Sequence, residues 1–219
     1  MIMKIIVGVV PIVIAITFHE VAHGYVAYRL GDPTAKMMGR LTLDPLKHVD
    51  PVGTVLVPLV LYAVGGIPFG WAKPVPIGVR NFKNPRRDMG LTAIAGPVTN
   101  LALAVVSAIL LRFVLLPMGQ FIPEGVFVGF MKLLYTSAYI NIILAAFNLI
   151  PVPPLDGSRV LAALVPRHIA NRIDELERYG MIIIMILIFT GMFRYILGPL
   201  FSILFSILIN PILGPIMGG

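Results

Sequence analysis

No cysteine occurs among the 219 residues, so disulfides and thiolate metal sites are excluded, and any bound metal would have to be held by histidine and carboxylate. Charge is scarce too. Only 12% of the residues are charged against 58% hydrophobic, whereas soluble domains carry about a quarter charged. Acidic side chains number ten and basic ones seventeen, a net charge of +7. A basic balance can signal nucleic acid, but no basic stripe is interleaved with aromatic residues here, so nucleic-acid binding is set aside. Internal repeats and low-complexity linkers are missing, and no polar stretch is long enough for an independent soluble domain. No small-x-small cleavage site closes the first apolar run, which therefore reads as a retained helix, not a signal peptide.

What is abundant is apolar sequence, with a mean hydropathy of +0.95. It gathers into runs over 1–18, 52–67, 89–116, 126–150, 181–193 and 195–216. Several approach or exceed the roughly 20 residues that cross a bilayer as helix. Most Lys and Arg fall in short loops between the runs, as the positive-inside rule expects. A first helix is predicted over 5–29, stopped by Gly31-Asp32-Pro33. The stretch after it carries Arg29, Lys36, Arg40 and Lys47 and reads as cytoplasmic. The loop after 52–67 is also basic, with Lys73, Arg80, Lys83, Arg86 and Arg87. Two successive loops cannot both be cytoplasmic across a true span, so 52–67 is predicted to re-enter or lie at the interface. Residues 71–77, rich in proline and β-branched side chains, read as an extended edge. The runs 89–116 and 130–150 then cross outward and back, 181–197 crosses out again, and 199–216 offers a last return. The expected fold is an all-α polytopic bundle of about four to six transmembrane helices, with a short re-entrant or β-like segment near 52–80.

Chemistry concentrates in three places. His19-Glu20-Val21-Ala22-His23 lies in the first helix. Residues four apart sit about 40° apart around a helix and about 6 Å along it, so both imidazoles can reach one ion. Zinc takes such ligands at about 2.0–2.1 Å, and Glu20 is placed to act as general base on a water molecule. His19 is about 16 Å from the helix end, deep in hydrocarbon, where ionisable groups are costly and usually functional. The third ligand is expected at Asp156, in Asn148-Leu149-Ile150-Pro151-Val152-Pro153-Pro154-Leu155-Asp156-Gly157, with a helix N-cap as the alternative role. Asn100, in Gly96-Pro97-Val98-Thr99-Asn100, and Asn148 each read either as donors to substrate or a developing oxyanion, or as interhelical hydrogen-bonding groups. His48 and Asp50 read as polar turn residues more than as extra ligands, and His168 is given no role.

Together these motifs resemble the site-2 protease family, the intramembrane zinc proteases, over roughly residues 5–165. The resemblance implies one Zn²⁺ per chain on His19, His23 and Asp156, Glu20 as general base, and Asn148 against the substrate backbone. It implies that a substrate adds as a strand along 71–77. The chain resembles a compact form, with room for neither a PDZ domain nor CBS domains: one transmembrane domain over 1–219, its catalytic core about 5–165 and its C-terminal helices about 179–217. The implied activity is hydrolysis of peptide bonds within or near transmembrane segments of membrane-protein substrates. The implied setting is a prokaryotic cell membrane, multi-pass, with the site opening towards the cytoplasm. The lipid bilayer is the other partner, and a homo-oligomer is left open. The alternatives are a metal-ion transporter or channel using the buried His and Asp, and a non-catalytic relative that binds membrane helices.

Overall fold

The computed structural model describes residues 2–63 and 70–217. Helix α1 spans Ile2–Arg29. It stops where Gly31 takes a φ of 107°, a left-handed step that a side chain would strain. A short α2, Thr34–Met37, and a 3₁₀ turn, Pro45–Lys47, follow. A π-helical turn over Pro51–Leu56 runs into α3, Val57–Ala63. These six and seven residues fall short of the ~20 that cross a bilayer. The rest of the expected re-entrant run, at 64–67, lies outside the described residues.

Residues 70–78 run without regular structure, and among the described residues there is no β-strand. The predicted edge is therefore extended but unladdered. Pro74 and Pro76 have no N–H to give to a neighbouring strand. The segment is held by single bonds instead. Trp71 donates to Gly53 O at 3.1 Å and Lys73 to His48 O at 2.9 Å, while Arg40 donates to Lys73 O at 2.8 Å.

Helix α4, Pro85–Ile109, continues as a π-helical turn to Leu115, and α5 spans Glu124–Asn148. Both begin before their apolar runs. Pro85 suits a first helical position, and the Asp88 carboxylate accepts the N–H of Asn84 at 2.9 Å. Polar first turns of this kind escape a hydropathy reading. Beyond a proline-rich loop lie α6, Asp156–Leu164, α7, Arg167–Leu176, α8, Gly180–Phe189, α9, Phe193–Leu208, and α10, Asn210–Met217. The predicted crossing over 181–197 is not one straight helix. Thr190 turns its hydroxyl back to Ile186 O, Gly191 takes a φ of 70°, and α9 leaves at 87° to the helix before it.

Among the described residues three helices are long and apolar enough to cross a membrane, Ile6–Arg29, Pro85–Leu115 and Glu124–Asn148, or four if the bent pair counts as one span. This is an all-α membrane protein. Helix α4 sits at its centre, against α1, α5 and α6. Small side chains allow the close approach: Ala15, Ala27, Ala93, Ala104, Ala138 and Ala145 are all buried. Large apolar side chains such as Ile12, Val98, Val106 and Phe130 face outward, as lipid-facing positions should.

Candidate metal centre

His19 and His23 are successive on one face of α1, and both point at α4. Room for them depends on Gly96. A Cβ there would lie 2.5 Å from both His19 Cε1 and His23 Nε2. The glycine is a steric requirement of the site.

Asp156 arrives from the other side, in the first turn of α6. The N-cap position belongs to Leu155, and no side chain caps this helix. The alternative role for Asp156 as a cap is therefore not the one taken. Its Oδ2 instead lies 3.1 Å from His19 Nε2 and 3.3 Å from His23 Nε2. Gly157 makes this possible, because a Cβ there would collide with the Leu149 carbonyl at the end of α5.

The outer ring nitrogens show which inner ones are bare. His19 Nδ1 is 2.6 Å from Asn100 Oδ1, and His23 Nδ1 is 2.7 Å from Thr92 O. Both oxygens only accept, so both Nδ1 atoms carry hydrogen, and each neutral ring leaves a lone pair on Nε2. The two Nε2 atoms lie 3.0 Å apart. Asp156 Oδ2 is buried beside them with no hydrogen-bond partner. Three acceptors thus converge on one point in an apolar interior, each costing about 1–3 kcal/mol if left unmet. A cation relieves that conflict. The three ligand atoms lie within 4.8 Å of one another. Their separations of 3.0, 3.1 and 3.3 Å match the edge of about 3.3 Å in a tetrahedron with bonds of about 2.0 Å. Two imidazoles and a carboxylate are a donor set that zinc accepts.

Glu20 stands beside the group without joining it. Its Oε2 accepts the Val75 N–H at 2.9 Å, which brings the extended 70–78 segment over the site. Asn100 is fully buried. Both its N–H groups are engaged, with Ala15 O at 3.2 Å and Asn141 Oδ1 at 2.8 Å, so of its two readings the interhelical bonds are the ones formed. Asn148 donates to Leu144 O of its own helix at 3.0 Å and does not enter the group. His48 is buried, with Nε2 2.9 Å from Thr42 O. Asp50 accepts from the N–H groups of Val52 and Gly53. Both act as turn residues. His168 is exposed.

Sequence reasoning gave Thr92 and Asn141 no role, and gave Arg40 and Asp32 none beyond loop charge and a helix stop. A buried amide at Asn141 in mid-span was a signal open to the same argument as His19. Thr92 contributes only a backbone carbonyl to His23, which no sequence pattern marks. Asp32, just past α1, ties down the far end of the extended segment by accepting from Gly78 N at 2.6 Å and Asn81 Nδ2 at 2.7 Å. Burial pushes its carboxyl up, but donation from Thr34, Asn81 and Gly78 outweighs that and holds it below the usual carboxylate range.

Comparison with known proteins agrees with this geometry. The model of peptidase family M50 matches residues 7–191. YwhC of Bacillus subtilis is 41% identical over 194 residues, covering 89% of this chain and 85% of its own. Rip2 of Mycolicibacterium smegmatis is 29% identical, covering 84% of this chain and 69% of its own. Both carry the name "Putative zinc metalloprotease". No solved structure matches the chain. A donor set from α1 and α6, packed against α4 and inside a match that runs from the first helix to the bend after α8, places this chain in peptidase family M50, to which it belongs.

Proposed function

We propose that this protein is an intramembrane zinc endopeptidase that hydrolyses peptide bonds within or next to the transmembrane segments of membrane-protein substrates. One observation carries the reading: two bare imidazole nitrogens and an unpartnered carboxylate oxygen converge inside the helical bundle, one residue from Glu20. The relatives' names supply the metal, zinc.

His19 Nε2, His23 Nε2 and Asp156 Oδ2 would hold the ion. When bound, zinc supplies Lewis acidity that polarises the scissile carbonyl and acidifies water. Glu20 moves the proton. Its carboxylate takes hydrogen from water as the oxygen bonds to the carbonyl carbon. It then returns that hydrogen to the departing amide nitrogen as the C–N bond breaks. The Val75 N–H steadies one Glu20 oxygen and leaves the other for this work. A substrate helix must unwind before its amide is reachable, and the extended chain at 71–77, beside Glu20, is the surface the opened segment lies against, without a continuous ladder, since Pro74 and Pro76 have no N–H and those of Trp71, Lys73 and Val75 are engaged. The site opens to the side of the basic loops, taken as the cytoplasm.

The test measures zinc in detergent-purified full-length protein and cleavage of single-span peptides in proteoliposomes. Wild type should hold about one zinc per chain, lost in His23→Ala and Asp156→Ala. Glu20→Gln should keep zinc and lose cleavage by about 10²-fold or more. Metal-reconstituted wild type without zinc, or a Glu20→Gln variant that still cleaves, would sink the proposal.

A further inference from the structure

The buried polar chain does not end at Asn100. Asn100 on α4 donates to Asn141 Oδ1 on α5 at 2.8 Å, and Asn141 Nδ2 donates to Ser137 O at 2.9 Å. Ser137 Oγ continues to Ser107 Oγ at 2.9 Å. Asn100 and Asn141 are both 0% exposed. Two polar amides between spanning helices have an ordinary use, holding helices together. The direction of the bonds points further.

Two backbone carbonyls settle which way each amide faces. A carbonyl only accepts, so the nitrogen of Asn141 must face Ser137 O and the nitrogen of Asn100 must face Ala15 O. Asn141 Oδ1 then meets Asn100 Nδ2, and Asn100 Oδ1 meets His19 Nδ1. Every donor in this row points away from the centre. Were Asn100 reversed, its NH₂ would face His19 Nδ1 and demand a lone pair there. The ring hydrogen would move to Nε2 and point into the donor set. Of the two acceptors that prevent this, Ala15 O is the more distant at 3.2 Å, and Asn141 Oδ1 the closer at 2.8 Å.

We propose that Asn141 is a positioning residue for the metal centre: by holding Asn100, it fixes His19 with hydrogen on Nδ1 and Nε2 bare for the ion. The inference rests on the zinc reading of His19, His23 and Asp156. It requires nothing of the substrate.

The test is zinc affinity, read by chelator competition on the full chain in detergent, together with thermal unfolding of the metal-free protein. Asn141→Leu should weaken zinc binding about tenfold, the low end of the range for lost outer partners of metal-bound histidines, because it frees such a partner, Asn100, without removing it. Asn141→Asp, whose neutral form keeps an oxygen for Asn100 and a donor for Ser137 O, should stay within about threefold of wild type. Ser107→Ala, which touches only the far end of the row, should stay within about twofold. Should the leucine variant not purify, Asn141→Ala carries the same expectation. Wild-type affinity in the leucine or alanine variant, beside a zinc-binding wild type, overturns this inference and leaves the proposed function standing. Equal losses of affinity in the leucine and Ser107→Ala variants, in step with equal losses of metal-free stability, also overturn it, since that is general packing. A wild type that binds no zinc overturns both.

Discussion

At the residue scale the centre turns on one missing atom. Alanine at position 96 would favour the isolated helix by about 1 kcal/mol over glycine. Here its Cβ would press on both imidazoles at 2.5 Å. Gly96→Ala is therefore expected to lose zinc affinity by about tenfold or more, although propensity alone argues for a gain in helix stability. Chelator competition checks this, and wild-type affinity would show that the rings have room to step aside. The same contrast of scales applies to His19 and His23. Their spacing is a one-dimensional fact. That both rings carry hydrogen on the outer nitrogen depends on Asn100 and on a carbonyl of Thr92, 81 and 69 residues away.

At the element scale the segment over 70–78 matters most. It has neither helix nor ladder to hold it, and relies on anchors from Arg40, His48, Gly53 and Asp32. Asp32 is fully buried and its carboxyl is held low by its donors. Its contribution is therefore complete above the unfolded carboxyl value of about 3.9, and is lost as pH falls through the lower folded value. Asp32→Asn should lower stability by about 1.5–3 kcal/mol at neutral pH, the value of hydrogen bonds to a charged group. It should also flatten the wild type's loss of stability on acidification below about pH 4. Thermal unfolding across pH reads both, with amide exchange at Gly78 locating the loosened segment. A variant as stable as wild type at pH 7 would mean that Asp32 does not anchor the segment.

At the scale of the whole molecule, α1, α4, α5 and α6 meet around acceptors that oppose one another without a cation, so metal and bundle stability are linked. With free zinc about 100-fold above its dissociation constant, the linkage is worth about 2.7 kcal/mol. Stripping the metal with a chelator should lower the melting temperature by about 5–10 °C, and adding zinc back should restore it. A melting temperature indifferent to both treatments would argue that the centre is not a site of tight binding.

Much of this was open to reading along the chain. The apolar runs and the His19-Glu20-x-x-His23 spacing follow from bilayer thickness and helix geometry, which act on neighbours in sequence, and Asp156 stood out by its place after a proline-broken apolar run. Helix ends were legible only to within a few residues, because Pro85 and Asp88 begin α4 in polar sequence. The tertiary structure decided the rest. It brought Asp156 to the histidines, put Gly96 against them and bent the chain at Gly191. It also joined Asn100 to Asn141 and laid Val75 on Glu20. Those facts depend on which faces of separate helices meet, and contacts between residues far apart in the chain leave no periodic trace in a single sequence.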